Sequence, residues 1–179
     1  MNSTPQQQTI THDQRQHWLA HRAGDWIWIV GYCSRLQRNG KPDQLAIVEV
    51  HMFGAHMVTL ALQHLHECLE HLRRSVQFTP ATKVAVDAFR QTYRSSNVTQ
   101  LRHALEHEED RIAGHALGRG AKRKYDGPYP DPIITGFKTG AARVTAIRVL
   151  NTDYDLTDVI EAALALEAPM SELSNSLWH

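Results

Sequence analysis

The feature that most constrains the fold is a long stretch, Gln44–Ser75, that contains no proline and a single glycine, Gly54. Apolar residues recur along it every three or four positions, which is the pattern of a helix with one buried face. At 1.5 Å per residue such a helix spans roughly 45 Å, so it either bends near Gly54 or forms the spine of a helical bundle. The apolar positions are Leu45, Val48, Met52, Ala55, Val58, Leu62, Leu65, Leu69 and Leu72.

Three further stretches have the periodicity of amphipathic helices. The first, residues 13–38, has Asp13 as a candidate N-cap and ends before Gly40, because glycine commonly follows the last turn of a helix. The next two cover residues 80–93, with a proline tolerated in the first turn, and residues 98–117. Together with the long stretch they predict a mainly α fold with a four-helix bundle core.

The pattern changes after the fourth predicted helix. Residues 133–138 and 143–150 are runs rich in β-branched side chains, and they stand on either side of a turn signal at residues 139–140. This arrangement predicts a β-hairpin in the C-terminal part of the chain. Most of the predicted structure is nevertheless helical, so the hairpin is expected to be an addition to the bundle.

A short last helix, residues 159–167, is expected after the hairpin. Asp155 or Thr157 is its candidate N-cap, and Pro169 is expected to end it. We expect this part to pack on the bundle within one domain, because a chain of 179 residues is long enough for one core and requires no second one. The predicted organisation is a flexible tail at residues 1–12, a helical bundle at 13–118, and a basic linker, β-hairpin and C-terminal helix at 119–179.

The charges give no overall attraction to nucleic acid. Lys and Arg together number 19, as do Asp and Glu, so any binding of RNA must come from a local patch. The densest basic run lies just after the fourth predicted helix, and we expect its side chains to contact RNA phosphates. These residues are Arg119, Lys122, Arg123 and Lys124.

Cysteine usage and the absence of targeting patterns favour a cytoplasmic protein. Cys33 and Cys68 lie far apart without a C-x-x-C spacing, so we interpret both as buried thiols in a reducing compartment. Residues 1–11 lack the basic and apolar regions of a signal peptide. No apolar run approaches the ~20 residues that span a bilayer, so we expect no membrane partner.

Arg102 and His107, in the fourth predicted helix, form the pair with the clearest chemical use. They are five residues apart, about 140° around an ideal helix, and the long Arg side chain partly closes that gap. A guanidinium clamps two phosphate oxygens, and an imidazole exchanges a proton near neutrality. The pair suits RNA cleavage by the 2′-hydroxyl, with His107 as acid or base, Arg102 stabilising the charged phosphorane and His103 as a second polar group.

The segment Arg102-His103-x-x-x-His107 resembles the R-x4-6-H signature of HEPN domains, which are helical bundles with two long antiparallel helices. The resemblance implies a metal-independent endoribonuclease that needs no cofactor, with Arg102 and His107 as catalytic residues and His103 assisting. HEPN enzymes often act as toxins or defence components and dimerise so that two motifs share a cleft. The resemblance therefore also implies RNA as substrate, a homodimer and an antitoxin-like protein partner.

Three alternatives stay open for the same segment. Some HEPN domains are non-catalytic, so the chain could be a dimeric interaction module or a nucleotide- or RNA-binding module. Arg102 could simply form an ion pair with Glu106, four residues on, at a solvated helix surface. His103 and His107 could instead chelate zinc with Glu106 as general base, in the H-x-x-E-H order of inverted zinc proteases, although a third ligand would be required.

Overall fold

The computed structural model describes residues 11–35, 44–106, 146–149 and 152–177. The predicted fold class, mainly helical with a β-hairpin in the C-terminal part, is confirmed. No helix among the described residues is both long and apolar enough to cross a bilayer. The helices are α1 (His12–Arg35), α2 (Gln44–Ser75), α3 (Pro80–Ser95), α4 (Val98–Glu106), α5 (Thr157–Leu164) and α6 (Glu167–Ser176), and the strands are β1 (Ala146–Val149) and β2 (Thr152–Asp155).

The N-terminus of α1 is closed by a capping box two residues before the predicted cap. The Thr11 hydroxyl accepts a hydrogen bond from the Gln14 backbone N–H at 3.2 Å, and the Gln14 side chain accepts one from the Thr11 N–H at 3.0 Å. Such a reciprocal pair satisfies two backbone donors that a helix start leaves open. The prediction of Asp13 as N-cap was therefore wrong. Asp13 lies in the first turn, where its negative charge interacts favourably with the positive end of the helix dipole.

The long stretch Gln44–Ser75 forms one helix, α2, with the predicted bounds. It contacts α1, α3, α4 and α5, so it is the spine of the bundle. The six apolar positions of its stripe from residue 55 onward are buried, which confirms the predicted face. They are Ala55, Val58, Leu62, Leu65, Leu69 and Leu72.

Helix α1 packs along α2 through small and branched side chains. Ala20, Ala23, Ile27 and Val30 of α1 are buried between α2 and the other helices that α1 contacts, and small residues let helix backbones approach closely. The Gln16 side chain donates a hydrogen bond of 2.6 Å to the backbone carbonyl of Ser75 at the end of α2. The C-terminal end of α2 is thus hydrogen-bonded to the first part of α1.

The hairpin pairs different residues from those predicted. Ala146–Val149 lies within the predicted second strand, but its antiparallel partner is Thr152–Asp155, with Ile147 opposite Tyr154. The predicted first strand, residues 133–138, lies outside the described residues. Strand β2 was missed because Tyr154 is its single buried residue and the others are polar.

After the hairpin, the described residues form two helices where the sequence predicted one. The prediction that Pro169 ends the helix was wrong, since α5 stops at Leu164 and Pro169 lies in the first turn of α6. The first N–H groups of a helix have no intrahelical acceptor, so proline costs little there. At the start of α5, Asp155 accepts hydrogen bonds from both the backbone N–H and the hydroxyl of Thr157, at 2.9 and 2.7 Å.

The hairpin and the last two helices belong to the same hydrophobic core as the earlier helices. Helices α5 and α6 pack against α1 and α3, and Phe89 of α3 is fully buried. Cys33 is buried and Cys68 is half-buried, both as free thiols, so the interpretation of two buried thiols is confirmed fully for Cys33 only. Burial raises the pKa of each thiol.

Candidate functional site

The position of Arg102 follows from the packing of α4 on α2. Helix α4 begins after Ser96, whose hydroxyl accepts from the Val98 backbone N–H at 3.4 Å. Leu101 and Leu105 are buried against the bundle. Arg102 follows Leu101 by about 100° around the helix, so it lies at the border between the buried face and solvent. Its side chain is 39% exposed.

The guanidinium of Arg102 is paired with a carboxylate of its own helix. Its Nε donates a hydrogen bond of 2.7 Å to Oε1 of Glu106, whose side chain is 45% exposed. This hydrogen bond raises the pKa of Arg102, and the charges of Glu67 and Tyr93 act in the same direction. The pair is the one expected for a solvated helix surface. Because exposed ion pairs of this type are weak, a phosphate can replace the carboxylate.

A groove between α2 and α4 lies directly beside Arg102. It encloses about 130 Å³. Its lining is partly apolar, and its polar groups are an imidazole, a hydroxyl, an amide, a guanidinium and a carboxylate, which include both hydrogen-bond donors and acceptors. The lining residues are His56, Met57, Thr59, Leu60, Gln63, Arg102, Leu105 and Glu106.

The other residues predicted for the site are only partly described. His103 is exposed on α4. His107, the catalytic partner predicted for Arg102, lies outside the described residues, as do the predicted RNA-binding side chains. The zinc alternative depends on His107 and is equally outside the described part of the chain. Within that part, no group of three or more His, Cys, Asp or Glu side chains is arranged to hold a metal ion. The predicted RNA contacts were Arg119, Lys122, Arg123 and Lys124.

Glu67 brings negative charge to the same face of α2. Its carboxylate accepts hydrogen bonds from the Gln63 side chain at 2.8 Å and contacts His64 Nδ1 at 3.1 Å. The Gln63 hydrogen bond lowers the pKa of Glu67, with smaller contributions from His64 and from the charge of Arg102. Glu67 is therefore ionised at neutral pH, and with Glu106 it offsets the positive charge of Arg102.

A second polar cluster on α2 was missed by the sequence analysis. Glu70 accepts a hydrogen bond from Arg90 of α3, and Arg73 and Arg94 approach its carboxylate at 3.5 and 3.8 Å. Burial alone would raise the pKa of Glu70, but the hydrogen bond and charge of Arg90, together with Arg73, outweigh it and lower that pKa. Arg90 and Arg94 are four residues apart and so share a helix face, which is a signal the sequence does contain.

Two aromatic contacts lie beside these clusters. His66 stacks on Tyr93 of α3 with ring centroids 4.3 Å apart, and Trp26 of α1 stacks on His64 at 4.8 Å. Burial lowers the pKa of His66 and raises that of Tyr93, since both rings are partly removed from water. The polar face of α2 is thereby held between α1, α3 and α4.

The outer surface of α1 exposes aromatic side chains. The sequence predicts that Trp26 and Trp28 point in different directions, and Trp28 is indeed 63% exposed while Trp26 is half-buried. Trp28 stacks on Tyr32 with centroids 5.0 Å apart, and Trp18 is also exposed. Exposed aromatic groups of this size are typical of surfaces that bind a partner.

No model of a protein family, no curated protein and no solved structure matches the chain.

Proposed function

We propose that the protein is a metal-independent endoribonuclease of the HEPN type, with Arg102 and His107 as catalytic residues. The observation that carries the proposal is the place of Arg102, half-exposed at the rim of a groove that also presents His56 and Gln63. A phosphate in this groove meets a guanidinium, an amide and an imidazole, which bind phosphate oxygens, and it competes with the carboxylate of Glu106 for Arg102.

The proposed reaction divides the work among three side chains. The 2′-hydroxyl attacks the adjacent phosphorus and the 5′-oxygen leaves, so one proton is removed and one is supplied. His107 either accepts the proton of the 2′-hydroxyl as general base or supplies the proton to the leaving 5′-oxygen as general acid, and solvent water takes part in the other transfer. Arg102 stabilises the charge that develops on the phosphorane. Before RNA binds, Arg102 is held by Glu106, so binding requires the phosphate to displace that carboxylate. His103, exposed on the same helix, supplies a further polar contact.

The test is RNA cleavage in the presence of EDTA by the wild type, His107→Ala and Arg102→Gln. Arg15→Gln, at an exposed position of α1, is the control for the loss of one positive charge. We expect cleavage by the wild type and the control and none by the two site variants. Cleavage by His107→Ala at the wild-type rate would overturn the assignment. Cleavage that disappears with EDTA and returns with zinc would favour the zinc-binding alternative.

A second candidate function, a dimeric interaction module, is favoured by the stacked and exposed pair Trp28 and Tyr32. In this proposal a second copy of the chain covers the aromatic surface of α1. Sedimentation velocity of the wild type and of Trp28→Ser tests it, with Val84→Ser, at an exposed apolar position of α3, as control. A dimer that only Trp28→Ser dissociates supports the module, and a monomeric wild type excludes it.

A further inference from the structure

Three arginines meet at one carboxylate on the polar face of α2. The Arg90 Nε donates to Oε1 of Glu70, Arg94 lies 3.8 Å from the same oxygen, and Arg73 lies 3.5 Å from Oε2. Only Arg90 makes a close contact, because charge-assisted hydrogen bonds are about 2.7–2.9 Å long. Glu70 therefore engages Arg90 fully and the other two guanidinium groups weakly.

The cluster has more positive than negative charge. Arg90 also pairs with Asp87 at 3.2 Å, and Lys83 pairs with Asp87 at 2.5 Å. Four cations thus face two carboxylates, which leaves a surplus of two positive charges. Burial lowers the pKa of the neighbouring His66, so its ring adds no charge at neutral pH. The four cations are Arg73, Lys83, Arg90 and Arg94.

The surplus is available at the surface. Arg90 is 14% exposed and is held inside the cluster, whereas Arg73 and Arg94 are 45% and 65% exposed. Arg94 also lines an open depression of about 520 Å³ beside α3, together with Asp87, Arg90, Gln91 and Ser95. A ligand anion can therefore reach Arg94 from this depression and Arg73 from the exposed part of its side chain, without displacing Arg90 from Glu70.

The cluster is aligned with the groove at Arg102. Gln63, which lines that groove, and Glu70 are seven residues apart on α2, which places them on one face about 10 Å from each other. Arg73 is almost one turn further along. Arg102, near Gln63, and Arg94 and Arg73, near Glu70, thus flank the polar side of α2, with the carboxylate of Glu67 between the two positions. Cations in a row match a chain of phosphates better than a single small anion.

We propose that Arg73 and Arg94 form a second phosphate-binding subsite, which holds the backbone of an RNA strand whose scissile phosphate lies at Arg102. The inference rests on the proposed function for its ligand, since it takes RNA as the polyanion. Arg90 is a positioning residue here: it fixes the carboxylate of Glu70 between the two exposed arginines.

The experiment is RNA binding measured by fluorescence anisotropy over a series of salt concentrations. The protein is the full chain with His107→Ala, so that the labelled single-stranded RNA stays intact, with and without Arg73→Gln and Arg94→Gln together. Arg15→Gln with Arg22→Gln, on α1, removes the same charge elsewhere. Thermal unfolding of each variant verifies that it is folded, and Arg90 is retained so that Glu70 keeps its partner.

We expect the double variant at Arg73 and Arg94 to bind RNA more weakly. The slope of log affinity against log salt should fall by about 1.4, since each lost phosphate contact on a single strand accounts for about 0.7. The α1 control should keep the slope of the parent protein. An unchanged slope in the double variant, an equal loss in the α1 control, or absence of RNA binding by the parent would overturn the inference.

Two further measurements separate this subsite from its alternatives. If polyglutamate of matched charge displaces RNA as effectively as unlabelled RNA does, the cluster binds acidic peptides and the phosphate assignment is wrong. If the wild type binds RNA through Arg73 and Arg94 but cleaves none, the endoribonuclease proposal fails and the subsite stands. If the wild type cleaves RNA but the salt slope of binding does not depend on Arg73 and Arg94, the endoribonuclease proposal stands and the subsite fails.

Discussion

The ring of His66 on α2 lies against the ring of Tyr93 on α3, with centroids 4.3 Å apart and planes inclined by 11°. Within the described part of the chain, Nε2 of His66 is buried without a hydrogen-bond partner, and Glu70 is 3.8 Å away. The contact joins the polar face of α2 to the third helix. Because the ring of His66 is partly removed from water, the free energy of unfolding depends on whether this imidazole is protonated.

We expect His66 to destabilise the protein in mild acid. Burial lowers its pKa in the folded state below the ordinary value of 6.5; the charge of Glu70, and to a smaller extent that of Glu67, opposes this shift, whereas the charges of Arg94 and Arg90 reinforce it. Just below pH 6.5 the unfolded chain therefore binds a proton that the folded chain does not, so stability falls as the pH decreases through this window and is fully present above it. Urea unfolding of the wild type and His66→Phe between pH 7.5 and pH 5 measures this.

The variant His66→Phe keeps an aromatic ring against Tyr93 and removes the titration. Its stability should decrease less than that of the wild type as the pH falls. His71→Phe, at an exposed position of the same helix, serves as control and should follow the wild type. Parallel curves for the wild type and His66→Phe would contradict the prediction.

Replacing Arg90 by Met should destabilise the fold. Arg90 and Glu70 have side chains 14% and 18% exposed, so the change leaves a poorly solvated carboxylate without its hydrogen bond. We expect a cost of roughly 1 kcal/mol, the lower end of the range for such a group, because Arg73 and Arg94 remain near. Equilibrium urea unfolding gives the value. Lys83→Met, which breaks an exposed pair, should cost clearly less, and equal costs would refute the assignment.

Replacing Glu106 by Gln should strengthen RNA binding. The change removes the carboxylate that accepts from Arg102 and preserves the size of the side chain. Because the phosphate no longer has to displace a carboxylate from Arg102, the affinity for RNA should rise at every salt concentration in the His107→Ala background. Glu161→Gln removes an exposed carboxylate from α5 and is the control for the loss of one negative charge. Equal gains in both variants would mean that net charge alone is responsible.

Pro169→Ala should change stability little. Proline in the first turn of α6 removes an N–H that has no intrahelical acceptor, and its rigid ring stabilises the protein by restricting the unfolded chain. We expect a loss of at most about 1 kcal/mol. Glu172→Pro, in the interior of the same helix at an exposed position, should cost about 3 kcal/mol. If thermal unfolding shows equal losses, Pro169 is not at a helix start in solution.

Local patterns in the sequence were sufficient to place the long helix α2, but they did not separate α5 from α6. The buried stripe of α2 from Ala55 to Leu72 follows from its spacing, because a helix repeats every 3.6 residues whatever surrounds it. The start of α3 was equally predictable, since Thr79 caps it and accepts from the Thr82 N–H at 3.2 Å. Strand β2 was not predictable in this way. Because Tyr154 is its one buried residue, this segment shows no alternation of apolar and polar side chains. It is the pairing of Tyr154 with Ile147 that makes the segment a strand.

The candidate site likewise has one part that could be predicted from the sequence and one part that could not. The pair Arg102 and Glu106 could be predicted from the sequence, because residues four apart on a helix are neighbours in any tertiary fold. The cluster at Glu70 could not be predicted, because Arg90 is 20 residues from Glu70 in the sequence and lies on another helix. The sequence by itself thus determined which residues share a helix face. Only the tertiary structure, through the rotation at which α3 packs against α2, decided that three arginines meet one carboxylate.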